Sequence, residues 1–215
     1  MNIGAVLIDI DGVLHVGDRL VEGAGRALRE LDRRGIPYRS VSSTTRSSRR
    51  SVAQRLHRLG YEIPEPWIVT APAAAAVDLR EGGRTRCCLL TIPDARADLE
   101  GNGISVVDEG ADAVVVGGAG GALTCERLNR AFRLLMEGAD VIALEKDRYW
   151  MEGDGPMLSA GPVVAAVEYA AGIEAEVIGK PSPAFFQRAL QGIGARPLEA
   201  AMRSSPVSVV RVAAV

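Results

Sequence analysis

The sequence has little of several features that mark whole classes of protein. It has three cysteines, an odd number, with Cys87 and Cys88 adjacent in an apolar run and Cys125 further on. A disulfide framework is therefore not expected, and the thiols should be reduced. No apolar run is long enough to cross a bilayer, and MNIGAVLIDID carries no basic leader with a cleavage site. These features predict a cytoplasmic protein without a membrane partner.

The sequence also has little excess of charge of either sign, with 25 basic and 27 acidic side chains and a net charge of −2. A dominant basic face is not expected, which argues against nucleic acid as a partner. Several arginines in the predicted helix at 47–59 and just before it are interpreted as its solvated face; they are Arg46, Arg49, Arg50, Arg55 and Arg58. Since 47% of the 215 residues are hydrophobic, the chain can bury a core domain and an inserted one.

What the sequence has is an alternation of apolar strands and amphipathic helices, which predicts an α/β fold with a parallel sheet. Strands are predicted at 5–8, 38–41, 87–92, 113–117, 141–144 and 175–178. Helices are predicted at 23–34, 47–59, 71–79, 126–136, 162–171 and 183–193. In such sheets functional groups collect at the carboxyl ends of strands, so the residues that follow each strand are the first candidates.

Two carboxylates, Asp9 and Asp11, follow the first predicted strand and precede Gly12. A carboxylate can attack phosphorus and form an aspartyl phosphate. A second carboxyl group two residues on can protonate the leaving oxygen and later deprotonate water. Asp and Gly are also common in any turn after a strand, so an ordinary turn stays open as an alternative.

Two further strand ends carry polar groups. Ser42 and Ser43 lie at the start of a helix, where hydroxyl and backbone N–H groups can bind an anion, although helix capping alone explains them too. Lys180, between Gly179 and Pro181, can neutralise a phosphate and the carboxylate that attacks it, although a lone lysine in a loop is usually solvated. Together the three strand ends supply the groups that phosphoryl transfer needs.

Two other patterns are weaker. The glycines of 117–121 follow a predicted strand, but Leu123 stands where a dinucleotide-binding loop needs its third glycine. A dinucleotide site is therefore not predicted. His15 is interpreted as a loop residue and not as a metal ligand, because His57 lies far along the chain.

Five ordered segments resemble the haloacid dehalogenase superfamily of phosphatases, in its NagD-like subgroup with a large α/β cap (the N-acetylglucosamine-phosphate phosphatase type). The segments are DIDGVLH at 9–15, VSSTTRSS at 41–48, LNRAFRLLMEGA at 128–139, RYW at 148–150 and VIGKPSPAFF at 177–186. Within that subgroup the chain is similar to the phospholysine phosphohistidine inorganic pyrophosphate phosphatases. The resemblance implies a Rossmann-like core, 1–83 and 175–215, with an α/β cap inserted at 84–174.

The resemblance also implies roles. Asp9 would be the nucleophile and a Mg²⁺ ligand, and Asp11 the general acid and base that gives the metal its backbone carbonyl. Ser42 matches a phosphate-binding hydroxyl, Ser43 stands where the subgroup usually has Asn, and Lys180 matches the lysine of the third motif. The implied activity is Mg²⁺-dependent hydrolysis of a small phosphorylated metabolite or pyrophosphate, with the cap excluding water and the segment around Tyr149 and Trp150 helping to choose the substrate.

The fourth motif of the family is where the chain departs. No Asp or Glu follows Glu199, where relatives carry a carboxylate that holds Mg²⁺, so weakened metal binding is expected. Relatives also continue beyond the position of Val215, which predicts an incomplete core sheet with an exposed edge, and marginal stability or a homo-oligomer. Two alternatives to an active enzyme follow: a non-catalytic relative that binds phosphate compounds or a partner protein, and an altered or truncated form of a longer enzyme.

Overall fold

The computed structural model describes residues 4–152, 155–194, 200–203 and 209–211. The chain forms two compact units. The first comprises the described residues of 1–42, 49–70 and 183–215, and the second comprises those of 43–48 and 71–182.

The described residues contain strands and helices that alternate through both units. The strands are β1 (Ala5–Asp9), β2 (His15–Val16), β3 (Arg19–Leu20), β4 (Tyr38–Ser42), β5 (Ile68–Thr70), β6 (Arg86–Leu90), β7 (Ser105–Val106), β8 (Ala113–Val116), β9 (Asp140–Ala143), β10 (Tyr149–Glu152), β11 (Gly155–Leu158), β12 (Glu176–Val177), β13 (Ala200–Arg203) and β14 (Val209–Arg211). The α-helices are α1 (Ala24–Arg33), α2 (Arg49–Arg58), α3 (Ala71–Glu81), α4 (Arg96–Glu100), α5 (Cys125–Met136), α6 (Gly161–Ala171) and α7 (Pro183–Gln191). Short 3₁₀ helices lie at Glu65–Trp67, Pro93–Ala95 and Gly120–Ala122.

The first unit is built on a five-stranded sheet in the order β14-β13-β1-β4-β5. Its central strand β1 pairs in parallel with β13 and with β4. The sequence of β1 is apolar at nearly every position, and Leu7 and Ile8 are both buried, as expected for a strand covered on two faces. Ile8 packs in a cluster with Leu28 of α1 and Leu56 of α2. This core fixes where β1 ends, and therefore where Asp9 lies.

The predicted exposed parallel edge of this sheet is not what the structure shows. β13 carries β14 as an antiparallel neighbour, with Ala201 paired to Arg211 and Arg203 paired to Val209. The expectation of a bare edge beside β13 is therefore wrong. The residues of the fourth motif, 204–208, lie outside the described residues. The expected marginal stability and homo-oligomer stay predictions.

The second unit has its own five-stranded sheet, all parallel, in the order β12-β9-β8-β6-β7. All four residues of β8, AVVV, are buried. Val114 and Val116 pack with Leu134 of α5 and Val164 of α6 in one apolar cluster. Each unit thus buries a separate apolar core, and the α/β class with parallel sheets is confirmed.

The prediction that assigns the strand at 175–178 to the first sheet is wrong. β12 pairs in parallel with β9, with Glu176 opposite Ile142 and Val177 opposite Ala143, so it belongs to the second sheet. The predicted boundaries of an inserted domain, 84–174, stay a prediction, and the second unit of the structure adds 43–48, 71–83 and 175–182 to that range. Among the residues that the structure describes, no helix combines the length and apolar character needed to cross a membrane.

Candidate active site

The turn that follows β1 carries both predicted carboxylates. Asp9 is the last residue of the strand and is half-buried, and its Oδ1 accepts a hydrogen bond from the backbone N–H of Ile10 at 3.0 Å. Gly12 has φ of +78°, a left-handed backbone that suits glycine, and its N–H donates to the carbonyl of His15 at 2.8 Å. The chain therefore reverses within four residues, and two carboxyl groups lie at the carboxyl end of a buried strand.

Asp11 and Ser42 are brought together, as the sequence predicts for neighbouring strand ends. Ser42 ends β4, which pairs with β1 so that Asp9 lies opposite Val41. The Ser42 hydroxyl is buried and donates to Oδ2 of Asp11 at 3.3 Å. The Asp11 side chain is 63% exposed, so its carboxyl group remains open to solvent. The exposed carboxyl group can therefore exchange protons with molecules in solution.

His15 lies beside Asp11 and was not expected there. It belongs to β2 and is 2% exposed, so its interpretation as a plain loop residue is wrong. Its Nε2 lies 3.8 Å from Oδ1 of Asp11, and its Nδ1 is buried without a hydrogen-bond partner among the described residues. The spacing of four residues across an Asp-Gly turn is the signal that points to this contact, since the turn folds residue 15 back against residue 11.

Ser43 is exposed and begins the segment 43–48, which belongs to the second unit. Two residues of this segment are anchored there. Oγ1 of Thr45 accepts from the N–H of Gly118 at 2.8 Å, and the N–H of Ser48 donates to Oδ2 of Asp94 at 2.8 Å. The segment before α2 therefore has a defined conformation, and the helix begins at Arg49, two residues later than predicted.

Lys180 lies in the second unit, in the loop after β12. A side chain at position 179 would collide with the backbone carbonyl of Leu144, so only glycine fits before the lysine. The N–H of Ser182 donates to the carbonyl of Gly179 at 2.9 Å and closes the turn. The loop is specified as the sequence suggests, and the proximity of the Lys180 amine to Asp9 stays a prediction.

The donor set for Mg²⁺ can be tested on the described residues. No group of three or more Asp, Glu, His or Cys side chains in the described part of the chain could hold a metal ion. The turn after β1 offers the Asp9 carboxylate and the backbone carbonyl of Asp11. Because Mg²⁺ usually binds through one or two carboxylates together with substrate phosphates and water, these groups fit a weakly held Mg²⁺.

The three cysteines are free thiols, with Cys87 and Cys88 buried and Cys125 exposed. Burial raises the pKa of Cys87 to about 12 and raises that of Cys88 as well. These two thiols are part of the apolar interior of the second unit, which agrees with the prediction of reduced cysteines.

Comparison with known proteins adds the family to this geometry. Residues 6–105 match the family model described as haloacid dehalogenase-like hydrolase. The chain is 42% identical to haloacid dehalogenase-like hydrolase domain-containing protein 2 of Homo sapiens, over 92% of this chain and 74% of that protein. It is 37% identical to the phospholysine phosphohistidine inorganic pyrophosphate phosphatase of Homo sapiens, over 94% of this chain and 75% of that protein.

Solved structures agree with these sequence relatives. A 4-nitrophenylphosphatase from Thermotoga maritima superposes with a TM-score of 0.86 at 28% identity, covering 94% of this chain and 77% of that one. NagD from E. coli K-12 gives a TM-score of 0.84 at 26% identity, covering 94% and 79%. The fold and the turn after β1 thus define an α/β hydrolase with a core sheet and a cap sheet. The chain belongs to the haloacid dehalogenase superfamily, in its NagD-like class IIA.

Proposed function

We propose that this chain is a phosphatase that hydrolyses a small phosphorylated metabolite or pyrophosphate through an aspartyl phosphate on Asp9. The observation that supports this best is the turn after β1, which carries Asp9 and, two residues later, Asp11. The Asp11 carboxyl group accepts a hydrogen bond from the Ser42 hydroxyl. A nucleophile and a proton-exchanging group on one turn are what a two-step phosphoryl transfer needs.

In the first step a carboxylate oxygen of Asp9 attacks phosphorus, and the bond from phosphorus to the leaving oxygen breaks. Asp11, then protonated, gives its proton to that leaving oxygen. In the second step Asp11 takes a proton from water, the water oxygen attacks phosphorus, and the bond from phosphorus to Asp9 breaks. Phosphate leaves, and both carboxyl groups return to their starting states, so atoms and protons balance.

The remaining proposed groups stabilise charge. With substrate bound, the Ser42 hydroxyl would donate to a phosphate oxygen in place of Asp11, and Ser43 would donate a further hydrogen bond. Lys180 would neutralise the phosphate and the attacking carboxylate. Mg²⁺ bound by Asp9 and the Asp11 carbonyl would supply further charge neutralisation on the transferring group. We propose that its affinity is lowered, since no carboxylate follows Glu199 in the sequence.

The test is hydrolysis of p-nitrophenyl phosphate with Mg²⁺ by the protein and by Asp9→Asn. The amide has no nucleophilic oxygen anion, so kcat/KM should fall by on the order of 10³-fold or more. Asp18→Asn is the matched control, because the Asp18 side chain is 93% exposed and pairs only loosely with Arg55 at 3.4 Å. Equal turnover by Asp9→Asn and the unmodified protein would remove the proposed nucleophile.

A second candidate is a non-catalytic relative that binds phosphate compounds or a partner protein. It is favoured because no group of three or more Asp, Glu, His or Cys side chains in the described residues could hold a metal ion, and because no acidic residue follows Glu199 in the sequence. Calorimetric titration with Mg²⁺ separates the two candidates. Tight Mg²⁺ binding by the unmodified protein would count against the non-catalytic candidate.

A further inference from the structure

The glycine segment 117–121 and Arg46 form a structure that the proposed reaction does not yet use. Arg46 is exposed, as the interpretation of a solvated face predicts, but it lies before α2 and is not part of that helix. Its backbone is fixed by Thr45, a residue only 3% exposed, whose Oγ1 accepts from Gly118 N–H and whose carbonyl accepts from the Thr91 hydroxyl at 2.8 Å. The chain therefore leaves position 45 in one defined direction.

The side chain of Arg46 lies along this glycine segment. A Cβ at Gly118 would stand 3.3 Å from Cγ and Cδ of Arg46, and a Cβ at Gly120 would stand 3.5 Å from Nη2. The absence of side chains at Gly118 and Gly120 thus leaves room for the Arg46 stem. This packing accounts for these two glycines without a dinucleotide.

The guanidinium group of Arg46 is held from another direction by an aromatic ring. Its Cζ lies 5.7 Å from the ring centroid of Trp150 in β10, which pairs antiparallel with β11. A cation over the face of an aromatic ring is attracted by it, and the Arg46 side chain is still exposed to solvent. The ion pairs found among the described residues do not include Arg46. An exposed guanidinium held against a ring can bind an anion.

We propose that Arg46, positioned by Trp150 and the glycine segment, selects substrates that carry a second anionic group, such as a phosphate or carboxylate on the leaving side. The proposal rests on the proposed phosphatase function and names its substrate class. Arg46 follows Ser42 by four residues in the sequence. The planar fork of arginine matches carboxylate and phosphate oxygens in pairs, which lysine does not.

Turnover tests the selection. Arg46→Gln should lower kcat/KM for pyrophosphate by about 10- to 100-fold, the loss expected for a charge-assisted hydrogen bond, and lower that for p-nitrophenyl phosphate by less than about threefold. Trp150→Leu should change the ratio in the same direction by a smaller factor. Arg58→Gln, an exposed arginine in the last turn of α2, is the matched control and should leave the ratio unchanged. Equal losses on both substrates, or none, would overturn the proposal.

If the protein turns over neither substrate, that result counts against the proposed phosphatase function. Binding measurements then still test the role of Arg46. Calorimetry would compare inorganic pyrophosphate with inorganic phosphate for the unmodified protein and Arg46→Gln. The unmodified protein should bind pyrophosphate more tightly, and Arg46→Gln should lose about tenfold of that preference. Equal affinity of both proteins for pyrophosphate, or no preference in the unmodified protein, would contradict the role of Arg46.

Discussion

At position 117 the second unit has almost no room for a side chain. A Cβ there would stand 3.0 Å from each of three neighbours: Cδ1 of Leu144, Cβ of Thr45 and Oγ1 of Thr91. Gly117→Ala should therefore lower the free energy of unfolding by about 1–3 kcal/mol, the range for overpacking a filled interior. Urea denaturation followed by circular dichroism measures the loss.

Gly121→Ala is the control for that substitution, since a Cβ at 121 meets no atom within 4 Å. Its free energy of unfolding should lie within about 0.5 kcal/mol of the unmodified protein. If both variants lost the same stability, backbone flexibility and not close packing would explain the glycine at 117.

Single residues also show what the sequence could and could not predict. Asp11 and Ser42 were predictable as neighbours, because the ends of adjacent parallel strands meet at one edge of a sheet. The burial of His15 and the stacking of Arg46 on Trp150 depend on how loops distant in sequence fold back. Hydrophobic periodicity carries no information about such loop contacts, so both were missed.

At the scale of elements, Glu145 connects the end of β9 to the start of α6. Its Oε1 accepts from the Ser159 hydroxyl at 2.6 Å and from the Ala160 N–H at 3.4 Å. Burial raises the pKa of Glu145, and these two hydrogen bonds offset only part of that rise. The folded protein therefore holds a proton on Glu145 more strongly than the unfolded chain does.

The sign of the pH dependence follows from that raised pKa. As pH rises through the ordinary range of a glutamate towards the raised value, the folded state loses stability relative to Glu145→Gln, which carries no charge there. The difference in unfolding free energy, unmodified protein minus variant, should thus fall between acid and neutral pH in urea titrations. A constant difference would contradict the buried charge, and Glu109→Gln, an exposed carboxylate, is the control.

Helices and buried strands were the most predictable elements. The predicted helix at 162–171 and the observed α6, Gly161–Ala171, differ by one residue, and the predicted strand at 38–41 is β4, Tyr38–Ser42. β5 and β13 were missed because one has three residues and the other is half alanine, which is depleted in strands. The partner sheet of β12 was mispredicted, since an apolar pattern identifies a strand without identifying its neighbour.

At the scale of the whole molecule, the reactivity of the thiols reports whether the second unit is packed as described. Cys125 is exposed, whereas Cys87 and Cys88 are buried and have raised pKa values. Since the thiolate is the reactive form, a chromogenic disulfide reagent at pH 8 should modify one thiol per chain rapidly and all three after denaturation. Cys125→Ser should remove the rapid phase. Two or more rapid thiols in the native protein would contradict this packing.

Family membership and fold follow from the whole chain, whereas the substrate does not. Relatives that cover 92% to 94% of this chain define the superfamily, and parallel strands in two sheets define the architecture. One fold carries many activities, and substrate choice is set by particular loops. The identity of the reacting group is therefore the claim on which the proposed function depends.

The most direct measurement of that claim is chemical trapping of the phosphorylated enzyme. Acyl phosphates are reduced by borohydride, so quenching the protein during turnover of p-nitrophenyl phosphate and sequencing its peptides by mass spectrometry locates the phosphorylated carboxyl group. The account predicts homoserine at position 9 in the unmodified protein and none in Asp9→Asn. Reduction at another residue, or steady turnover with aspartate 9 left intact, would contradict it.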